Sequence, residues 1–147
     1  MRHFFARFTV AAAIVIFSAA TAQAKDPLRI LVLGDSFMTT HTLSGQAVPN
    51  QLQKVLGARV KSRAVTGARY RYMMPITGAL GMKISKQYRD GPWDWVVING
   101  GGNDMWLGCG CMRCKRRMNK LISPDGTRGE IPELVSKVRN TGAKVAY

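Results

Sequence analysis

The stretch LRILVLGDSF, Leu28 to Phe37, decides the fold class. Its first six residues form a nearly continuous apolar run, which is typical of a strand buried on both faces of a parallel sheet. The run ends in Gly34-Asp35-Ser36, so a small residue, an acid and a hydroxyl follow the strand directly. Because a serine at the end of a buried strand is held where a substrate can approach, the stretch points to a nucleophile as well as to a fold.

Strand-like and helix-like segments alternate along the rest of the chain. Helical stripes occur between the strands, and glycines stand where two of these helices should stop. This alternation predicts a doubly wound α/β fold with a parallel sheet. The further strands are predicted at Arg59–Val65, Trp93–Asn99 and Ala143–Tyr147, the helices at 48–56, 75–90 and 131–138, and an irregular segment at 105–128.

Small polar motifs follow three of the predicted strands. They are Gly34-Asp35-Ser36, Thr66-Gly67 and Gly101-Gly102-Asn103-Asp104. Since the carboxyl ends of parallel strands meet at one edge of a sheet, we expect the three motifs to converge. The backbone N–H groups of Ser36 and Gly67, together with the side-chain amide of Asn103, would then stabilise the oxyanion of an acyl transfer.

Each motif taken alone has a simpler interpretation. Gly-Asp-Ser is a common turn or N-cap composition, and a single Gly67 more often marks a turn than an oxyanion donor. The three glycines at 100–102 could cradle a phosphate, but they lack the Lys-Ser/Thr ending of a P-loop and the dinucleotide-binding spacing. The occurrence of all three motifs in order, each after its own strand, favours the catalytic interpretation.

The blocks LRILVLGDSF and VVINGGGND resemble those of the GDSL, or SGNH, hydrolases, which are serine esterases, lipases, thioesterases and carbohydrate deacetylases. The resemblance implies a flavodoxin-like three-layer α/β/α domain with a parallel sheet over residues 25–147. It also implies that Ser36 is the nucleophile and that no cofactor is required. The oxyanion donors would be Ser36, Gly67 and Asn103, and the supporting residues Asp35, Gly102 and Asp104.

The last block of that family, D-x-x-H, has no counterpart in the sequence. The only two histidines are His3 and His41. If residues 36–40 begin a helix, His41 lies about 140° around the helix from Ser36, so we do not expect it to be the base. The pattern of elements also lacks the family's last strand and closing helix. We therefore expect these residues to be the N-terminal portion of an SGNH domain without its catalytic base, either as a fragment of a longer reading frame or as a truncated product.

The first 24 residues have the three parts of a secretory signal peptide. A basic head that includes Arg2 and Arg7 precedes the apolar run Phe8–Ala20 and the small-residue site Ala22-Gln23-Ala24. A retained N-terminal anchor is the alternative. We expect cleavage before Lys25, a periplasmic or secreted mature chain, and no integral membrane segment after cleavage.

The chain is strongly basic, with 22 Lys and Arg against 8 Asp and Glu and a formal net charge of +14. Apart from a cluster at 113–117, the basic residues are scattered, and no RNA-binding signature or zinc-finger spacing accompanies them. This pattern favours contact with anionic envelope polymers, or simple solubility, over binding of nucleic acid.

Two residue types near the third motif have competing interpretations. Cys109, Cys111 and Cys114 could hold a metal, but a closed zinc site needs four ligands, so a disulfide or structural role is favoured and no metal is predicted. Trp106 could line a substrate cleft, although core packing is the favoured interpretation, as it is for Trp93 and Trp95.

Two functions follow from the sequence. The first is an exported serine hydrolase that cleaves ester or thioester bonds in a small molecule, a glycan or a lipid. The second is a catalytically incomplete fragment or a non-catalytic module that binds anionic envelope glycans. The sequence does not choose a substrate, because one fold serves many substrates.

Overall fold

The computed structural model describes residues 26–71, 76–106, 109 and 113–147. The predicted signal peptide and Cys111 therefore lie outside the described residues. In chain order the elements are β1 (Arg29–Leu33), α1 (Ser36–Thr39), α2 (Val48–Leu56), β2 (Arg59–Ser62), α3 (Ile76–Ala79), a 3₁₀ turn (Ile84–Lys86), β3 (Trp95–Ile98), α4 (Gly102–Trp106), α5 (Arg113–Leu121), α6 (Glu130–Arg139) and β4 (Lys144–Ala146).

The four strands form one parallel sheet in the order β2-β1-β3-β4. All four strands predicted from the sequence are present, each shorter than predicted. In the central pair Ile30 lies opposite Trp95 and Leu33 opposite Ile98, so β1 and β3 end side by side. This order is that of flavodoxin-like folds, in which ligands bind where the strand order reverses. The predicted fold class is confirmed.

Both faces of the sheet are covered, which gives the three layers. Leu31 and Leu33 of β1 belong to a core cluster that also contains buried side chains of α5 and α6. Ile30 and Val32 belong to a second cluster on the opposite face, together with side chains of α1 and α2. The apolar run in β1 is continuous because each face of this strand meets its own core.

Two of the three predicted helices, 48–56 and 131–138, are confirmed. α2 ends at Leu56, and the Gly57 that follows has a φ of 59°, the left-handed conformation that commonly follows a helix. α6 buries Leu134 and Val138 and has Glu130 and Glu133 in its first turn, where negative side chains stabilise the helix dipole.

The prediction of one helix over 75–90 is wrong. α3 is a single turn, and Gly81, two residues after its end, adopts a φ of 73°. The chain then becomes extended, and Lys83 pairs with Arg69 in a parallel bridge before the 3₁₀ turn begins. The glycines in this segment and a pairing partner distant in sequence together override the helical periodicity.

The prediction of an irregular segment over 105–128 is also wrong, because α4 extends through Trp106 and α5 covers nine residues. α5 has no wide apolar stripe, and among its residues whose burial is described only Leu121 belongs to the buried core. The Arg117 guanidinium donates to the Asp104 carbonyl of α4 at 3.0 Å, and Cys114 of α5 forms a disulfide with Cys109, which follows α4, with Cα atoms 4.7 Å apart. The favoured disulfide role is thus confirmed for two cysteines.

Within the described ranges, no helix combines the length and the apolar character needed to cross a bilayer.

Candidate active site

The turn after β1 holds Ser36 at the start of α1. Asp35 is the N-cap of this helix, and its Oδ1 accepts a hydrogen bond from the Phe37 N–H at 3.0 Å. Ser36 is half-buried, and its carbonyl accepts bonds from the Thr40 N–H and hydroxyl. Asp35 therefore fixes the geometry of the turn, which is the supporting role predicted for it.

Gly34 brings this turn against the end of β3. Its φ is 149°, and a Cβ at this position would lie 2.7 Å from the Asn99 carbonyl oxygen. No side chain fits in that space, so the ends of β1 and β3 approach each other closely only because residue 34 is glycine.

Gln87 holds Gly34 from the other side, and sequence reasoning did not find it. Its Oε1 accepts from the Gly34 N–H at 2.7 Å, and its Nε2 donates to the Gly34 carbonyl at 2.9 Å and to the Gly81 carbonyl at 2.8 Å. The side chain is 1% exposed. No motif marks a buried glutamine, because its partners are backbone groups 53 and 6 residues away.

Asn103 connects the ends of three strands. It lies in the first turn of α4, after β3, and its Nδ2 donates to the Ala68 carbonyl at 3.0 Å. The same nitrogen lies 3.5 Å from Asp35 Oδ2, which is long for a hydrogen bond. The predicted convergence of the three motifs is therefore present, with Asn103 between the other two.

Asp104 is buried beneath the site, where it organises the backbone. Its two carboxylate oxygens accept from the Tyr70 N–H at 2.9 Å and the Arg71 N–H at 2.8 Å. The carboxylate thus ties the segment after Gly67 to α4. This contact fits the supporting role predicted for Asp104.

We expect Asp104→Asn to lower the free energy of unfolding by about 1–3 kcal/mol, because one of the two backbone N–H groups would face an NH₂ group that cannot accept a hydrogen bond. Urea denaturation followed by tryptophan fluorescence measures the loss. Asp90→Asn is the matched control, because Asp90 is exposed. Equal midpoints for the two variants would contradict the role given to Asp104.

A pocket of about 360 Å³ opens at this edge of the sheet, and we call it the strand-end pocket. Of the predicted site residues, Asp35, Ser36, Gly102 and Asn103 line it, whereas Asp104 and Gly67 do not. Gly67 lies next to it, between Thr66, whose hydroxyl is 2.8 Å from that of Thr39, and Ala68, which accepts from Asn103. The other lining residues are Phe37, Asn99, Gly100 and Trp106.

Trp106 lines the strand-end pocket, so the favoured interpretation of core packing was wrong for this tryptophan. Its side chain is 81% exposed, and Phe37, which also lines the pocket, is 71% exposed. Trp93 and Trp95 pack against the two cores, as predicted. The pocket therefore combines a polar floor with two exposed aromatic side chains.

His41 does not line the strand-end pocket. It lies in the loop after α1 with a φ of 67°, it is exposed, and its carbonyl accepts bonds from the Ser44 hydroxyl and the Gln46 N–H. The sequence-based exclusion of His41 as the partner of Ser36 agrees with this position.

Tyr70 and Tyr147 lie near Gly100, and both phenols are neutral at ordinary pH. Burial raises the pKa of Tyr70, and the Tyr147 hydroxyl beside it raises that pKa further. Burial also raises the pKa of Tyr147, whose hydroxyl donates to the Gly100 carbonyl at 2.9 Å. Neither phenol loses its proton near neutral pH, so neither can act as a general base there.

Comparison with known families identifies the chain. The model of the GDSL-like lipase/acylhydrolase family matches residues 32–146. The chain belongs to this family. Membership in the GDSL-like lipase/acylhydrolase family makes it a hydrolase and supports ester hydrolysis as its general chemistry. No curated protein gives a significant match to the chain.

Two solved structures are similar to this member of the GDSL-like family. AlinE4, an SGNH-hydrolase family esterase, is 18% identical, with a TM-score of 0.46 over 84% of this chain and 77% of AlinE4. A candidate SGNH hydrolase from Slackia heliotrinireducens is 22% identical, with a TM-score of 0.44 over 82% of this chain and 54% of that protein. The chain thus spans about half the length of the Slackia protein.

Proposed function

We propose that the protein is an exported serine hydrolase in which Ser36 attacks the carbonyl carbon of an ester or thioester. The observation that carries the proposal is the convergence of Ser36 and Asn103, from the ends of two neighbouring strands, on one pocket in a member of a hydrolase family. The sequence of residues 1–24 supports export to the periplasm or the medium.

The oxyanion would be stabilised by donors from the three strand ends. Ser36 lies in the first turn of α1, where backbone N–H groups have no partner within the helix. One hydrogen of the Asn103 amide is used by the Ala68 carbonyl, whereas the other makes only the long 3.5 Å contact to Asp35. That second hydrogen is the one proposed to bond the oxyanion, and the Gly67 N–H is the third proposed donor.

The base in this proposal is the histidine of a D-x-x-H block. Among the described residues that line the strand-end pocket there is no histidine, and the one carboxylate, that of Asp35, has its two oxygens directed to Phe37 and Asn103. The coding DNA after Tyr147 tests this part. A continuing frame that encodes a strand, a helix and D-x-x-H supports the hydrolase, and an immediate stop codon supports a non-catalytic function.

The pocket favours an ester with a short acyl group joined to an apolar or ring-bearing alcohol. A volume of about 360 Å³ lies near the lower end of the range for ligand pockets. Phe37 and Trp106 offer exposed aromatic surface on which an apolar chain or a sugar ring can pack. Both small-molecule esters and acylated glycans or lipids meet this description.

We expect Asn103→Ala to lower kcat for p-nitrophenyl acetate by about 10²–10³-fold in the protein that carries the D-x-x-H block, because one oxyanion donor is removed. The assay follows nitrophenolate release, and circular dichroism confirms that the variant is folded. Asn50→Ala is the control, because Asn50 is an exposed residue of α2. An Asn103→Ala variant as active as Asn50→Ala would rule out the oxyanion role.

A second function, binding of an anionic envelope glycan, is favoured by the outward face of α5. Lys115, Arg116 and Lys120 are exposed there, and the helix contains no acidic residue. None of the three forms an ion pair within the part of the chain that the structure describes. A surface of one sign attracts a polyanion through space, and the attraction weakens as salt is added.

Replacing Lys115, Arg116 and Lys120 together by glutamate tests this binding. We expect the affinity for an acidic polysaccharide, measured by calorimetry at low salt, to fall at least about tenfold because a positive face becomes negative. The control replaces Lys54, Arg59 and Lys61, which are also exposed, by glutamate and so makes the same change in net charge. Equal losses in both variants would mean that only net charge matters and that α5 is not a binding face.

A further inference from the structure

Gln87 is a buried polar side chain that the proposed reaction does not use. Its hydrogen bonds reach the chain close to Ser36. It follows the 3₁₀ turn Ile84–Lys86, and its backbone N–H donates to the Ile84 carbonyl at 3.0 Å. The side chain extends from this anchored backbone to Gly34, two residues before the proposed nucleophile Ser36.

The three side-chain bonds of Gln87 define the orientation of its amide. The oxygen faces an N–H donor, and the nitrogen faces two carbonyl acceptors. A flipped amide would place its NH₂ group against the N–H of Gly34 and its oxygen against two carbonyl oxygens, losing all three bonds. The amide therefore has one position, and it fixes both polar groups of Gly34.

Gly34 has two further close contacts besides those with Gln87. Its carbonyl also accepts from the Val65 N–H at 3.0 Å, and the Asn99 carbonyl fills the space where a Cβ would lie. The next two residues are Asp35 and Ser36. A rotation at Gly34 would therefore change the direction in which the Ser36 hydroxyl enters the strand-end pocket.

We propose that Gln87 is a positioning residue for the nucleophile: its carboxamide, hydrogen-bonded to both the N–H and the C=O of Gly34, sets the angle at which Ser36 faces the substrate. This inference rests on the proposed hydrolase function. It assigns to a residue outside the pocket lining an effect on turnover rather than on substrate binding, because the side-chain hydrogen bonds of Gln87 go to the backbone of Gly34 and Gly81.

The test compares Gln87→Met with Leu134→Ala. Methionine has a similar length but no group that can replace the three hydrogen bonds, whereas Leu134→Ala destabilises the core cluster without touching the strand-end pocket. Thermal melts of both variants establish that their losses of stability are comparable. The kinetic assay uses a short acyl ester and the protein that carries the D-x-x-H block.

In Gln87→Met we expect kcat to fall about 10- to 100-fold with KM changed less than about twofold, since a misplaced nucleophile lowers turnover without altering substrate contacts. Leu134→Ala should keep both constants within about twofold. Amide hydrogen exchange at Gly34, measured by NMR, should be at least about tenfold faster in Gln87→Met than in Leu134→Ala. Equal kcat values and equal exchange rates in the two variants would overturn the inference.

A second variant serves if Gln87→Met does not fold. Gln87→Glu keeps an acceptor for the Gly34 N–H but turns a carboxylate towards two carbonyl oxygens, which together with burial raises the pKa of the new carboxyl. Its kcat relative to the wild type should rise as the pH falls, because the protonated acid regains one donor. A flat ratio would overturn the positioning role.

The exchange measurement distinguishes a failure of the proposed hydrolase function from a failure of the positioning role of Gln87. If the wild-type protein neither hydrolyses esters nor reacts with a serine-directed probe, the hydrolase function fails. Faster exchange at Gly34 in Gln87→Met then still supports the hold of Gln87 on the turn, and unchanged exchange overturns it.

Discussion

Replacing Ser36 by alanine is expected to reduce the hydrolysis of a short acyl ester by roughly 10⁴- to 10⁶-fold in the protein that carries the D-x-x-H block. The loss is large because the proposed mechanism forms an acyl-enzyme through the serine oxygen, and alanine offers no atom in its place. Binding of the ester should be little affected, since Phe37, Trp106 and the oxyanion donors are unchanged.

A fluorophosphonate probe gives the same test without a substrate. We expect the probe to form a stable bond with Ser36, with mass spectrometry of the digested protein placing the added mass on the peptide that contains Gly34-Asp35-Ser36. Ser44→Ala is the matched control, because Ser44 is an exposed serine in the loop after α1 that does not line the strand-end pocket. Full labelling of Ser36→Ala, or loss of labelling in Ser44→Ala, would contradict Ser36 as the nucleophile.

The elements that carry Ser36 and Asn103 could be predicted from the sequence because their causes are local. The run Leu28–Leu33 is apolar except at Arg29, which is typical of a strand buried on both faces. Polar residues directly after two such strands then had to meet, since parallel strands end at one edge. The order of strands and motifs along the chain therefore brings together Ser36, the proposed nucleophile, and Asn103, the proposed amide donor.

The parts that escaped prediction depend on partners distant in sequence. Residues 75–90 have helical periodicity, yet the helix ends after α3 and the chain becomes extended, because Lys83 pairs with Arg69. α5 is held by the hydrogen bond from Arg117 to the Asp104 carbonyl of α4 and by the Cys109–Cys114 disulfide rather than by a wide apolar stripe. The hydrophobic periodicity of a segment carries no information about such contacts.

Side-chain environments were the least predictable feature. A tryptophan is usually packed in a core, but Trp106 lies in the last turn of α4, on the rim of a pocket, and is exposed. A glutamine is usually exposed, but Gln87 is buried because three backbone groups satisfy its amide. In both cases the surroundings are set by loops whose course is decided by tertiary contacts.

Gly34→Ala is expected to lower the free energy of unfolding by about 3–5 kcal/mol, a large part of the total stability of a small domain. Two effects add. A φ of 149° is strained for any residue with a Cβ, and the new methyl group would lie 2.7 Å from the Asn99 carbonyl oxygen and 3.1 Å from Met38 Cγ. Relief requires the ends of β1 and β3 to separate, because the closest atom belongs to the backbone.

Gly78→Ala distinguishes this steric effect from a general cost of replacing glycine. A Cβ at residue 78 would meet Lys86 Cγ at an ordinary 3.5 Å, and the position lies in α3, where alanine is favoured by up to about 1 kcal/mol. We therefore expect the urea midpoint to rise slightly in Gly78→Ala and to fall steeply in Gly34→Ala. Equal midpoints would mean that the ends of β1 and β3 are not held as closely as the structure places them. In Gly34→Ala we also expect faster hydrogen exchange at the N–H of residue 34, because separating the strands pulls this residue away from the amide of Gln87.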